Sequence, residues 1–490
     1  MAMPFSRPLA AGTLAALLAA CSTSPVGPDY HVPEQALVRQ PAAAASFDSS
    51  AAAEHQVADA APLPAHWWRL YQDPALDALV QQALQHNTDL RQAAANLERV
   101  QAMAVEAGAA QSVHVGMDAA PVYGHVSGLS LLQPGYQPPT RGMDSVGVTL
   151  SYQLDLFGQI RRGIEAAEAG TGSAQAALDL ARVNVAGGTA RAYALACSAG
   201  LRLRTAQHSI ALQQQALDVS QRLQQAGRVD VLDVGRAQSQ LHQLRATVPA
   251  LQAQRQGALL QLQTLTGTIP GTALPPAVAN CERAPVLAQA IPVGDGAALL
   301  RRRPDVREAE RELAAATARI GVVTADLYPK IALGLSASSA SPMSDFGARD
   351  SIGWSAGPLI SWTLPNTGAV QARIGQAQAG ARGALAHFDG TVLAALRETE
   401  TALDAYAREL DRRAALTAAR EAAGRVAEQA RRLYRAGKTG SLETLDAERS
   451  LAAAEAALAE TQAQLADDQI RLFMALGGGW EAPGEQAAAR

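Results

Sequence analysis

The chain has 490 residues, 48% of them apolar but only 4% aromatic, and 18% charged, with a net charge of −4. Apolar mass drawn mainly from Ala and Leu favours long helices packed through small side chains over a thick aromatic core. No Lys/Arg block is long enough to track phosphates, which argues against a nucleic-acid partner.

Residues 1–20 read as a lipoprotein signal peptide: Arg7 gives a positive start, 9–18 an apolar stretch, and Leu18-Ala19-Ala20-Cys21 a small-residue cleavage site ending in Cys. Cys21 then becomes the acylated first residue. Its lipid anchors the protein to a leaflet without crossing it. Ser22, rather than Asp, follows the Cys and directs such a lipoprotein to the outer membrane. Residues 21–65, rich in Pro, Ala and Ser, read as an extended acylated N-terminal tether. Two cysteines remain after processing, Cys197 on a helix and Cys281 in a Pro-rich connection. An oxidising compartment leaves both a disulfide and two buried thiols open.

Residues 66–267 form a first structural repeat. After His66-Trp67-Trp68, Asp73-Pro74 supplies an N-cap and a first-turn proline. Leu76, Leu79, Val80, Ala83, Leu84, Leu90, Ala94 and Leu97 then predict one helix to about Gly108. A β-hairpin is expected at about 112–156. Val146, Val148, Leu150, Tyr152, Leu154 and Leu156 alternate with Gly147, Thr149, Ser151, Gln153 and Asp155. Val113, Val115 and Met117 mark a weaker partner strand, with 121–142 as the loop. A long helical hairpin with its tip at Gly227 follows, its 158–227 leg being about 70 residues without proline.

After an equatorial linker, 268–295, residues 296–477 form a second repeat, leaving a tail at 478–490. A shift of 210 residues carries Gly227 onto Gly437, Ser151-Tyr152 onto Ser361-Trp362, Ile164 onto Ile374 and Gly267 onto Gly477. That is an internal two-fold duplication. Arg301–Arg302–Arg303 read as cations closing one helical turn before Pro304 starts the next. The second hairpin, about 331–364, contains Pro358, where a bulge or strand break is expected.

Each strand is about as long as the roughly 9–11 residues a tilted strand needs to cross a bilayer. Apolar-out, polar-in alternation suits a water-filled membrane barrel, with Trp354 and Trp362 as interface aromatics. Four strands cannot close around a channel, and an open edge cannot sit in lipid. Three copies would give a twelve-stranded barrel, so a homotrimer is expected. At ~1.5 Å per residue the long legs span on the order of 100 Å, matched by shorter helices laid end to end.

The expected fold class is therefore an α+β membrane protein, a trimeric 12-stranded outer-membrane β-barrel with four strands per chain, continued by a long helical bundle, hollow or solid. In these features the chain resembles the TolC/OprM-type outer-membrane efflux factors, and specifically their NodT-like lipoprotein branch. The resemblance is carried by Cys21 with Val26-Gly27-Pro28-Asp29-Tyr30, by Trp67-Trp68, Tyr71 and Asp73-Pro74, and by Tyr152 with Leu154-Asp155-Leu156-Phe157-Gly158. Leu299-Leu300, Arg303-Pro304-Asp305-Val306 and Ala325-Asp326-Leu327-Tyr328-Pro329 complete it.

The resemblance implies a channel whose helices form a long periplasmic α-helical barrel, docking onto a periplasmic adaptor protein fed by an inner-membrane pump of the RND type. It places Ala226, Gly227, Arg228, Ala436, Gly437 and Lys438 at the adaptor contact. Glu443 and Asp446 fall at the periplasmic gate, with Asp233 and Arg236 as first-half partners, Arg236 pairing with a carboxylate in the closed state. A carboxylate ring from three chains is able to select or hold cations.

No catalytic constellation is visible. Gly437-Lys438-Thr439 has the tail of a phosphate loop, but position 432 is Arg and no strand precedes it. The nine His are scattered without ligand spacing, so no metal and no cofactor beyond the lipid on Cys21 is expected. A type I secretion-like exit duct and a lipid-anchored trimeric stalk stay open as alternatives. The stalk requires sustained heptads without strands. A passive porin would spend most of its chain on strands.

Overall fold

The structure is a computed structural model describing residues 25–47, 58–59, 63–125, 127–287, 290–362 and 367–480. The signal peptide and the lipid site Cys21 lie outside the described residues. In chain order come α1 (Pro74–His86), α2 (Thr88–Ala109), β1 (His114–Gly124), β2 (Arg141–Leu154), α3 (Gln159–Gln225) and α4 (Val231–Leu265). The same order then recurs as α5 (Gly296–Arg302), α6 (Pro304–Thr324), β3 (Lys330–Pro342), β4 (Ile352–Ser361), α7 (Thr367–Arg435) and α8 (Ser441–Ala475).

The single helix expected to about Gly108 is broken at Asn87, and the cause is local. The Asn87 Oδ1 accepts from the Asp89 and Leu90 backbone N–H groups at 2.9 and 3.2 Å, and its Nδ2 donates to Leu265 O at 3.0 Å. Its side chain thus caps the next helix while its own backbone is extended. Asp73 caps α1 as its sequence suggests, accepting from Ala75 and Leu76 N–H.

Two compact units emerge. The first comprises Met1–Pro33, Leu97–Ser173 and Ala309–Phe388. Its centre is an antiparallel sheet in the order β1-β2-β3-β4. The expected loop at 121–142 is shorter than the sequence suggested, since β1 continues through Pro121 to Gly124 and β2 begins at Arg141. The break expected at Pro358 is absent too: β3 and β4 pair without interruption from Lys330↔Ser361 to Ser339↔Ile352. Both prolines sit on the outermost strands, where a missing N–H interrupts no ladder within the sheet.

Register puts Val115, Leu150, Leu335 and Ala356 in one row of the apolar face and Gly116, Thr149, Ser336 and Ser355 in a row of the other. Tyr123 and Trp354, 79% and 77% exposed, mark the loop end of the apolar face. Tyr152 and Trp362, the latter just past the end of β4, mark its helix end, with Trp362 on the order of 25 Å from Trp354.

Part of the tether is held rather than free. Val26 N–H donates to Phe157 O at 3.1 Å, and the buried Arg162 binds Asp29 at 2.7 Å and the Gly27 carbonyl at 3.2 Å. Gly27, at φ +90°, crosses Gly321 so closely that a Cβ would lie 2.5 Å from the Gly321 Cα.

The second unit comprises Glu34–Asn96, Ala174–Glu308 and Asp389–Arg490. Trp67, Trp68, Leu76, Leu262, Leu403, Ile470, Leu472 and Phe473 are almost wholly buried in one core, with Trp67 stacked on Phe473 at 4.5 Å. Cys197 and Cys281 are joined by a disulfide across an 84-residue separation. Arg303, the last of the three arginines, is no surface cation. It is buried, paired with Asp305 at 2.6 Å and Glu398 at 3.0 Å, and donates to Ala475 O at 3.0 Å.

Candidate functional site

Both helical hairpins of the second unit turn by the same chemistry. Gly227 and Gly437 adopt φ +67° and +68°. Their N–H groups donate to Gln224 O and Tyr434 O, while Arg228 and Lys438 donate to Leu223 O and Leu433 O. This Schellman closure satisfies the last helical carbonyls and demands the left-handed residue that glycine supplies without strain. Nothing lies within 4 Å of where a Cβ would stand on either glycine, so conformation rather than space selects it. Ala226, Gly227, Arg228, Ala436, Gly437 and Lys438 are all exposed. Val231, Leu232 and Leu442 add exposed apolar groups at the first turns of α4 and α8.

Asp233 and Glu443 occupy the first turns of the return helices, and Arg236 and Asp446 the second turns. Asp233 binds Arg236 on its own helix at 3.4 Å, one turn away. Asp446 binds Arg449 at 2.8 Å in the same i,i+3 fashion, with both side chains well exposed. Glu443 folds back over the helix start, its Oε2 2.6 Å from where a Cβ on Gly440 would be. A carboxylate there is favoured by the unpaired N–H groups of the first turn. Asp233 is thus brought to Arg236, whereas Asp446 is brought to Arg449.

Arg449 and a second layer behind it escaped the sequence reading. Arg431 on α7 meets Glu448 on α8 at 3.2 Å, and Arg420 meets Glu455 at 3.4 Å. Burial raises the Glu448 carboxyl above its usual pKa, Arg431 opposes, and Glu455 adds to the rise. The signal was present: Glu448 and Glu455 stand seven apart, facing arginines on the antiparallel partner. Tyr434 is the other omission. Burial of its hydroxyl raises its pKa, Ser220 opposes, and the Asp233 charge adds to the rise.

Little apolar material holds the tips. One cluster buries Leu217, Ala237 and Leu241, and another Ala427, Ala447 and Leu451. Among the described residues no group of His, Cys, Asp and Glu has the arrangement of a metal site, and no helix is long and apolar enough to cross a membrane.

Comparison with known proteins accounts for this combination of sheet and hairpins. The outer membrane efflux protein family matches residues 79–268 and 297–478, once in each half. The nodulation protein T of Rhizobium leguminosarum bv. viciae is 30% identical over 476 residues, covering 97% of this chain and 94% of that one. The toluene efflux pump outer membrane protein TtgC of Pseudomonas putida is 29% identical, covering 96% and 95%. The solved outer-membrane channel OprN is 35% identical, with a TM-score of 0.84 over 93% of this chain and 99% of that one. A family match in each half, joined to a superposition on a solved channel over nearly all of its length, establishes that this chain is an outer-membrane channel belonging to the outer membrane efflux protein family.

Proposed function

We propose that three copies of the chain close their sheets into one twelve-stranded barrel and serve as the exit duct of a tripartite efflux system. One observation carries the trimer. Among the described residues the four-stranded sheet ends in two unpaired edges, β1 and β4, and it carries an exposed apolar face with aromatics at both ends. Unpaired backbone groups are too costly in lipid to remain open, so the edges of neighbouring copies must pair.

The turns at Gly227 and Gly437 then meet a periplasmic adaptor fed by an inner-membrane pump, here of the RND type. The pump performs the work, while the channel supplies a path and a gate at Glu443 and Asp446, with no catalytic step of its own. Cys21 carries the acyl anchor in the outer membrane. Drugs or other small toxic solutes are the cargo, a reading supported by the toluene efflux name of one relative. Deleting the gene while the cognate pump is expressed should sensitise cells to a broad panel of such solutes. Unchanged susceptibility across the panel would remove the export reading.

A further inference from the structure

Among the described residues, the polar face of the sheet carries one acidic side chain away from the strand ends. The face opposite Trp354 and Leu150 is built from Gly116, Gly147, Thr149, Ser336, Ser338 and Ser355, which are small and uncharged. Register places Asp118, fifth of eleven residues in β1, on that same face, opposite Gly147. The other ionisable side chains there, His114, Arg141 and Lys330, stand at strand ends, and Lys330 is engaged by Asp326 at 3.4 Å. The Asp118 carboxylate lies across the neighbouring strand: its Oδ1 is 2.7 Å from where a Cβ on Gly147 would be. Gly147 is buried beneath it, and any side chain there would displace it. The carboxylate therefore leans over the polar face of the sheet.

We propose that Asp118 is a charge-selecting residue of the barrel, giving the channel a second cation preference independent of the periplasmic gate. This rests on the trimeric pore proposed above, in which the polar face lines the lumen and three Asp118 carboxylates form a ring. With neutral, small neighbours, no counter-charge cancels the field of that ring, and the low-dielectric wall focuses it into the lumen. Cationic or zwitterionic solutes pass such a ring more readily than anionic ones.

Reversal potentials across a salt gradient in planar bilayers test this. Glu443→Gln/Asp446→Asn serves as the background, so that the gate carboxylates do not mask the barrel. Adding Asp118→Asn should lower the potassium-to-chloride permeability ratio by at least about twofold. Asp118→Lys should lower it further, and Asp118→Glu should preserve it. Conducting channels whose ratio is the same for Asp118→Asn, Asp118→Lys and their parent would overturn the assignment while leaving the pore intact. A parent protein that never conducts would instead overturn the pore itself, and this assignment with it.

Discussion

The core around Trp67 and Phe473 and the tips at Gly227 and Gly437 belong to one unit yet are built on opposite principles. The core buries large aromatics and aliphatics, stacks two rings at 4.5 Å and is crossed by a disulfide. Each tip buries a few small or aliphatic side chains and otherwise relies on ion pairs, most of them one turn apart or across two legs. The exposed ones among them, such as Asp446–Arg449, contribute about 0–1 kcal/mol each. The core is therefore the more strongly held region, whereas the tips are the less strongly held one, as the proposed gate would require.

Breaking the core should give the largest effects. Phe473→Ala removes the ring stacked on Trp67 and should cost about 3–5 kcal/mol, read as a lowered melting temperature of the detergent-solubilised protein. Cys197→Ser opens the 84-residue loop and should cost about 2–4 kcal/mol, with the same loss reproduced in wild type under reductant.

A smaller change of opposite sign is expected at Asp468, which is 5% exposed. Burial raises its carboxyl first, Asp467 and Glu409 add to the rise, and Gln464 and Arg471 oppose. A raised folded pKa means that the folded state binds the proton more tightly. Stability from this group is therefore present at acid pH and falls as pH rises through its folded pKa. Asp468→Asn should stabilise by under about 1 kcal/mol at neutral pH, with the gain vanishing on acidification into the ordinary carboxylate range. A melting-temperature difference independent of pH would contradict this.

At the tips the contrast sharpens. Glu443→Ala/Asp446→Ala should change stability by no more than about 0.5 kcal/mol yet raise single-channel conductance or leakage. A double variant that conducts as wild type does would remove both carboxylates from the gate.

Much of this was legible in the sequence because its signals were periodic or repeated. Strict alternation over 145–156 located β2, and the matched Gly227 and Gly437 located both turns. Features that depended on a side chain reaching elsewhere were not legible. Asn87 breaks a continuous apolar stripe through three hydrogen bonds, one of them to Leu265, 178 residues away. Pro358 reads as a strand breaker until its strand is known to be outermost in the sheet. Arg303 looks like one of three cations closing a helical turn until Glu398, 95 residues further on in α7, arrives beside it. At the tips, the carboxylates were singled out by the resemblance to the efflux factors and not by any signal of their own. The Asp446–Arg449 pair was missed although it lies one turn along the same helix, because the first-half residues Asp233 and Arg236 were taken as the partners.

The account depends above all on the unpaired edges of β1 and β4 being completed by sister chains. The most direct measurement is the mass of the mature protein purified in detergent, by light scattering or native mass spectrometry. A particle of three chains, resistant to dilution, is the predicted result. A stable, folded single chain would contradict it.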